Sequence, residues 1–297
     1  MLNEKESLFK YVGHRIRERE FLIVALPYLA FCLFSTVWWS VNFVLGHFIL
    51  SASFVLFIPA ILLVEYIFSM RFGTVFTVSA LLIAVGAVLG SPFGFYSIFP
   101  SFDAILHTIS GFVFASLGFA LAAYFFGSPA SRRAYVGCIV FGLSFSLGIA
   151  VLWELWEFGG TLLLGMETAD DTVVDSFKTF ALTGRSEAVV VEGILKTVIY
   201  YGDGETLVID GYLDIGYFDT LGDMIVCTVG ALIFALVSAL SRAFAPGLES
   251  ALVPRVFEKK NADASADLIE AESPLECELF DGDSACKCDF SDAQCED

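Results

Sequence analysis

Ionisable side chains recur at helical spacing inside three otherwise apolar segments of the chain, "FDAILHTISG", "WELWEF" and "YFDTLGDM". They form three pairs: Asp103 with His107, Glu154 with Glu157, and Asp219 with Asp223. Residues three or four apart lie on one face of a helix. Carboxylates and imidazoles that project inward from facing helices are a common way for a helical bundle to bind metal. The pattern therefore indicates a divalent metal site built from these six residues.

The ligand types narrow the choice of metal and add an acid–base role. Carboxylate oxygens favour Mg²⁺, Mn²⁺ or Ca²⁺, and the imidazole shifts the preference toward Mn²⁺, Fe²⁺ or Zn²⁺. We therefore expect Mn, Zn, Mg or Fe, with Glu154 or Glu157 as the catalytic base. The alternative is that the same groups form hydrogen-bonded pairs that hold neighbouring helices together.

The segments that carry these residues are long and apolar enough to cross a membrane. Hydrophobic residues make up 57% of the 297, 31 residues are Phe, and the mean hydropathy is +0.76. A membrane-spanning helix needs about 20 mostly apolar residues. Six such spans are predicted: 21–43, 47–68, 73–91, 103–126, 138–161 and 217–241. The fold class is thus an all-α polytopic membrane protein, with about six helices in one bundle.

The distribution of basic residues predicts the orientation of these spans. With six spans, 13 of the 16 Lys and Arg residues fall on the side of the two termini, and three fall in the loop 162–216. Basic residues concentrate on the cytoplasmic side of membrane proteins. We therefore expect a multi-pass protein of the cell membrane with cytoplasmic termini and an extracytoplasmic loop. The six site residues then lie in the outer half of the bilayer.

That placement gives the site an unbalanced charge. A charged side chain at mid-membrane costs at least about 2.5 kcal/mol, and several like charges cost more. Bound metal, protons held by the carboxyl groups or deep access of water could each offset it. Glu65 is a different case, because it lies near the inner end of its span and is expected to reach the cytoplasmic interface.

Three segments outside the spans have distinct compositions. Residues 1–20 form an amphipathic cytoplasmic segment, and the loop contains "GDG" at Gly202 to Gly204 between β-branched and aromatic runs. That pattern predicts a β-hairpin in a small cap of two or three strands over the outer mouth of the transmembrane domain, residues 21–242. Residues 243–297 form an acidic tail that is expected to be disordered.

Charge and cysteine content limit the partners. The net charge of −18 argues against nucleic acid, and leaves open a high-salt habitat or simply an acidic tail. The tail contains four cysteines at a spacing that matches no familiar zinc pattern, so a soft-metal role there is also left open. These are Cys277, Cys286, Cys288 and Cys295.

The three paired motifs, in this order, resemble the YjdF-like inner-membrane family of bacteria and archaea and, more distantly, VanZ-like membrane proteins. The shared pattern is Asp-x3-His, then Glu-x2-Glu, then Asp-x3-Asp-Met after a Gly-rich turn, over roughly residues 100 to 235. Cys227 departs from it, since Asn is expected there. The resemblance implies a multi-pass membrane protein without an assigned reaction. For VanZ-like proteins it implies a link to the cell envelope and to tolerance of lipophilic glycopeptides.

Three functions fit these observations. The first is a metal-assisted hydrolase or transferase that acts on a lipid or lipid-linked substrate at the outer leaflet. The second is a proton- or cation-coupled transporter, although the inner halves of the three motif helices contain no ionisable residue. The third is a non-enzymatic envelope scaffold. The sequence leaves enzyme status and oligomeric state open, and the lipid bilayer is the one partner that it requires.

Overall fold

A computed structural model describes residues 7–99, 101–164, 170–184, 187–245, 248 and 252–256. Most of these residues are helical. The helices are α1 Leu8–Arg15, α2 Arg19–Val41, α3 Leu45–Val55, α4 Phe57–Ile67, α5 Thr74–Gly90, α6 Phe95–Ile98, α7 Phe102–Phe126, α8 Arg132–Leu164 and α9 Tyr217–Phe244. Four are long and apolar enough to cross a membrane alone, and α3 with α4 forms a fifth span, Leu45–Ile67. The chain is therefore a polytopic helical membrane protein, as predicted.

Each of the six predicted spans coincides with helix, with three differences. The third span is α5, which is apolar but has only 17 residues. The fifth begins earlier than predicted, at Arg132. The second is interrupted at Leu56 between α3 and α4. Pro59 explains that interruption, because it has no N–H to donate to the carbonyl of Val55 four residues earlier.

The bundle is organised around α7, which packs against α5, α8 and α9. One buried apolar cluster joins α7 to α2, α4 and α5, and a second joins it to α8 and α9. Glycines allow close crossings on both sides. Gly118 of α7 faces Gly142 of α8, and a Cβ atom on Gly142 would lie 2.5 Å from the carbonyl oxygen of Ala115. Large apolar side chains remain exposed on the outside of the long helices, as expected for a surface in contact with lipid.

The loop between α8 and α9 folds into short antiparallel strand pairs. They are β2 Thr172–Val174 with β7 Tyr212–Asp214, β3 Phe177–Thr179 with β4 Val189–Val191, and β5 Thr197–Tyr201 with β6 Glu205–Ile209. The predicted hairpin is β5–β6, whose Gly202 and Gly204 adopt positive φ angles of 54° and 99°. The described part of the loop thus contains six strands instead of two or three. Its role as a cover for the bundle stays a prediction.

The chain after α9 returns to the bundle. Strand β8, Arg255–Val256, pairs with β1, Met70–Arg71, and the Ser116 hydroxyl donates a hydrogen bond to the Leu252 carbonyl oxygen at 2.7 Å. The sequence placed residues 252–256 in the disordered tail. The structure attaches them to the bundle because β1 and Ser116 satisfy their backbone groups. The four cysteines of the tail lie outside the described residues.

Candidate metal centre

Two glycines determine how close the first and third motifs come. Gly111, four residues after His107, packs against the backbone of α9, where an added Cβ would lie 2.0 Å from the carbonyl oxygen of Cys227. Gly230 packs against the backbone of α7 in the same way, 1.9 Å from the carbonyl oxygen of Thr108. Any side chain at either position would push the two helices apart. This crossing therefore brings the Asp-x3-His motif of α7 next to the Asp-x3-Asp motif of α9.

Three side chains meet at this crossing, and we call them the ligand group: Asp103, His107 and Asp223. One potential ligand atom from each lies within 4.8 Å of the others. His107 Nε2 is 3.5 Å from Asp103 Oδ1 and 3.6 Å from Asp223 Oδ2. Two ligands that each lie about 2.1 Å from one ion in tetrahedral geometry are about 3.4 Å apart. The spacing is therefore suitable for shared coordination of a single ion.

The opposite side of the His107 ring is held by α9. Cys227 Sγ lies 3.7 Å from His107 Nδ1, and the thiol donates a hydrogen bond to the His107 carbonyl oxygen at 3.2 Å. Ser110 Oγ is 3.4 Å from the same sulfur. Groups behind a ligating histidine fix its ring orientation. A thiol thus occupies the place where the family resemblance led us to expect an amide, and Nε2 remains directed at the carboxylates.

The other three predicted residues lie around the ligand group. Glu154 is only 9% exposed, and its Oε1 atom has no hydrogen-bond partner in the described part of the chain. Its carboxyl group interacts electrostatically with Asp219 and Asp103 and lies beside Thr220. Glu157 interacts with the same two aspartates and with Glu154. We call the ligand group together with Glu154, Glu157 and Asp219 the acidic site.

Hydrogen bonds connect the start of α9 to the preceding loop next to this site. The backbone N–H of Asp170 donates to Asp219 Oδ2 at 2.8 Å, and that of Phe218 donates to Asp214 Oδ2 at 2.8 Å. Asp219 therefore has a structural partner outside the ligand group. The structure brings all six predicted residues into one region, and the roles predicted for them stay predictions.

Tyr96 of α6 is a site residue that the sequence reasoning missed. It forms a hydrogen bond with Asp103 and interacts with Glu157 and Asp223. Its ring fills the space beside Gly90, where a Cβ would lie 2.1 Å from a ring atom. Burial, followed by the negative charge of Asp103, raises the pKa of the Tyr96 phenol, so it remains a hydrogen-bond donor. A phenol seven residues before Asp103, next to a glycine turn, was the signal available in the sequence.

A second buried polar group lies at the opposite end of the bundle, where α2 begins and α4 ends. We call it the arginine cluster, and its members are Tyr11, Arg15, Glu18, Glu65 and Arg71. Glu65 is fully buried, so the prediction that it lies at the interface is wrong. The N-terminal segment explains the difference, because α1 folds back and brings Arg15 to the carboxylate.

Comparison with known proteins supports the membrane assignment. A family model described as "Predicted membrane protein (DUF2238)" matches residues 22–243, which include the acidic site and nearly all of the described transmembrane helices. No curated protein and no solved structure matches the chain.

Proposed function

Because the chain belongs to the DUF2238 family of membrane proteins, we propose its function from the chemistry of the acidic site. The protein binds a divalent metal ion through Asp103, His107 and Asp223 and acts as a hydrolase or transferase on a lipid or envelope-linked substrate. The observation that carries this proposal is the convergence of one imidazole and two carboxylates to within 4.8 Å between two apolar helices. One nitrogen and two oxygen ligands suit Mn²⁺, Fe²⁺ or Zn²⁺ and are compatible with Mg²⁺.

The residues around the ligand group have complementary roles in this proposal. A bound ion would polarise a phosphoryl or carbonyl oxygen or lower the pKa of a bound water. Glu154 is the preferred general base, because its unpartnered oxygen is buried beside Asp103 and is free to accept a proton. Glu157 supports it as the neighbouring carboxyl group. Tyr96 donates to Asp103 and keeps that carboxylate oriented toward the ion.

The surroundings favour a lipid-linked substrate. Exposed apolar side chains lie next to Asp103 in the sequence: Ile98 is 73% exposed, Phe99 47% and Ile105 44%. A substrate with an acyl or prenyl chain could reach the ligand group from the bilayer along this surface. The resemblance to YjdF-like and VanZ-like proteins supports an envelope substrate, and the distribution of basic residues supports the outer leaflet of the cell membrane.

Elemental analysis of the purified protein tests the metal site. We expect about one equivalent of a divalent transition metal or Mg²⁺ in the wild type. Asp103→Asn, His107→Ala and Asp223→Asn should each lose it, because the site has only three protein ligands. Asp203→Asn, in the β5–β6 turn, is the matched control and should retain it. A folded wild-type protein that takes up no ion after dialysis against each candidate metal would contradict the proposal.

The same variants separate the alternative functions. A cation-coupled transporter would need a path through the other half of the bundle, and cation uptake into vesicles would depend on the acidic site. A scaffold would keep its cellular role in Asp223→Asn and lose it when the β5–β6 hairpin is altered. If Asp223→Asn loses function and the wild type shows no cation flux, the transporter and the scaffold are both excluded and the enzymatic proposal is supported.

A further inference from the structure

Two arginines at the start of α2 have no part in the arginine cluster. Arg15 and Arg71 are both bound to carboxylates at this end of the bundle. Arg17 and Arg19 are exposed, and neither guanidinium group has a hydrogen bond or ion pair to a side chain in the described residues. They lie two residues apart, where the chain enters the membrane-spanning segment. This leaves a local pair of positive charges on a chain whose net charge is −18.

The two arginines lie at a cavity whose other lining residues are apolar. Arg17 and Arg19 line a cavity of about 410 Å³ together with Leu22, Leu26 and Pro27. The remaining lining residues are apolar, and Leu26 among them is 58% exposed, so the cavity opens at the outer surface of the helix. A charged rim above an apolar wall matches the two parts of a phospholipid, the headgroup and the acyl chain.

A second cavity continues the first along the helix. It measures about 280 Å³, lies between α2 and α5, and shares Pro27 with the first. Its walls include Phe31 on α2 and Val78 and Leu82 on α5. Tyr28 is its one polar lining residue, and its hydroxyl donates a hydrogen bond to the Phe54 carbonyl oxygen at 2.7 Å. The second cavity therefore presents almost entirely hydrocarbon to whatever occupies it.

The length of the combined groove corresponds to one leaflet. Twelve residues separate Arg19 from Phe31, which is about 18 Å of helix at 1.5 Å per residue. One leaflet contributes about 15 Å to the hydrocarbon core. A lipid with its phosphate at the arginines would thus place an acyl chain along the full groove.

We propose that Arg17, Arg19 and the groove between α2 and α5 form a binding site for an anionic phospholipid of the leaflet at the N-terminal end of the bundle. Guanidinium groups bind phosphate oxygens in a bidentate manner, and basic pockets beside membrane-spanning helices bind anionic headgroups. The apolar groove selects a membrane lipid over free phosphate. This site is at the end of the bundle opposite the acidic site and does not depend on the proposed function.

The test is lipid retention. Protein from bilayers of equal phosphatidylglycerol and phosphatidylcholine is purified in detergent, and the bound lipids are counted by native mass spectrometry. The wild type should retain about one phosphatidylglycerol, and the double variant R17Q/R19Q should retain roughly tenfold less, because each basic residue contributes about a fivefold effect at most. R132Q/R133Q, an exposed arginine pair at the start of α8, is the matched control and should behave as the wild type.

A third variant tests the groove without changing charge. Leu82 is 52% exposed, so Leu82→Trp fills the second cavity without disturbing the core, and it should lower retention severalfold. Equal retention in R17Q/R19Q and R132Q/R133Q, or equal retention of the two lipids by the wild type, would overturn the proposal. Unchanged retention in Leu82→Trp would overturn the part of it that places an acyl chain between α2 and α5.

Discussion

The arginine cluster and the acidic site are two polar groups in one apolar bundle, and they differ in how their charges are satisfied. In the arginine cluster, Glu65 accepts four hydrogen bonds, from Tyr11 Oη at 2.9 Å, from Arg15 Nε at 3.0 Å and Nη2 at 3.1 Å, and from the Phe72 N–H at 2.7 Å. Arg15 also bonds to Glu18 Oε2 at 2.6 Å and to the Phe72 carbonyl oxygen at 2.9 Å. Each buried charge therefore has an opposite charge and hydrogen bonds within the protein.

The acidic site lacks that balance. It has five carboxyl groups and one imidazole, and no Lys or Arg of the described chain forms an ion pair with Asp103, Glu154 or Asp223. The Glu154 Oε1 atom has no hydrogen-bond partner among those residues. A buried polar group without a partner is unfavourable, and native proteins retain such groups mainly where they have a function. The comparison indicates that the charges of the arginine cluster are balanced within the protein, whereas those of the acidic site are not balanced by any basic side chain of the described residues except His107.

The largest expected effect comes from breaking the arginine cluster. Glu65→Leu should lower the free energy of unfolding by about 3–5 kcal/mol, because Arg15 would remain buried without its counter-ion. In thermal unfolding followed by circular dichroism, the midpoint should fall by about 10 °C. The double variant Arg15→Leu/Glu65→Leu removes both charges and should be more stable than either single variant. A double variant that is as unstable as the sum of the singles would show that the pair is not coupled.

A change at the α7–α9 crossing should affect both stability and metal binding. In Gly230→Ala the new methyl group would meet the Thr108 carbonyl oxygen, so the helices must separate and His107 must move away from Asp223. We expect a loss of about 1–3 kcal/mol in unfolding free energy. Metal content, measured by elemental analysis, should fall with it. Gly222→Ala in the same helix has open space at its Cβ and should leave both quantities unchanged.

Removing a carboxylate from the acidic site should change the unfolding temperature in the opposite direction to removing one from the arginine cluster. In a chelator, Asp223→Asn should unfold at the same temperature as the wild type or a few degrees above it, because like charges no longer repel. In excess metal the wild type should gain about 2.7 kcal/mol at a hundredfold excess over Kd, and the variant should gain nothing. A variant that is less stable than the wild type in chelator would indicate that Asp223 acts as a structural partner.

The smallest expected effect on stability concerns Glu18, the partly exposed carboxylate of the arginine cluster. Burial opposes ionisation of Glu18, but hydrogen bonds from Arg71 and Arg15 outweigh it and lower the Glu18 pKa from its ordinary value of 4.5. A carboxyl group with a lowered pKa stabilises the fold above its ordinary pKa, and this contribution is lost as the pH falls through the folded value. Because Glu18 is partly exposed, the pair contributes up to about 1 kcal/mol.

Glu18→Gln should therefore lower the unfolding midpoint by about 1–3 °C at pH 7, and the difference from the wild type should shrink as the pH falls below 4.5 through the folded pKa of Glu18. Midpoints measured between pH 3 and 7 provide the check. Glu192→Gln, at an exposed position in the loop, is the matched control. A difference for Glu18→Gln that stays constant from pH 7 to pH 3 would mean that Glu18 acts through packing instead of charge.

Local patterns in the sequence determined the helical fold and the contents of the acidic site. About 20 apolar residues in succession can satisfy their backbone groups in a membrane only as a helix, so the spans followed from composition. The i, i+3 and i, i+4 spacing placed each of the three pairs on a single face. The β5–β6 hairpin was also predictable, since Gly202 and Gly204 provide the positive φ angles that its turn requires.

Contacts between segments distant in sequence were decided only by the tertiary structure. Glu65 was predicted to be an interfacial residue, because nothing near it in the sequence indicates its contact with Arg15. Arg15 is 50 residues earlier in the chain and reaches Glu65 because α1 folds back. No local pattern distinguishes the three residues of the ligand group from the other three paired residues. That choice depends on Gly111 and Gly230, which let two backbones touch and so set the distance between His107 and Asp223. Helical periodicity determines which face a side chain occupies, whereas packing between helices determines which faces meet.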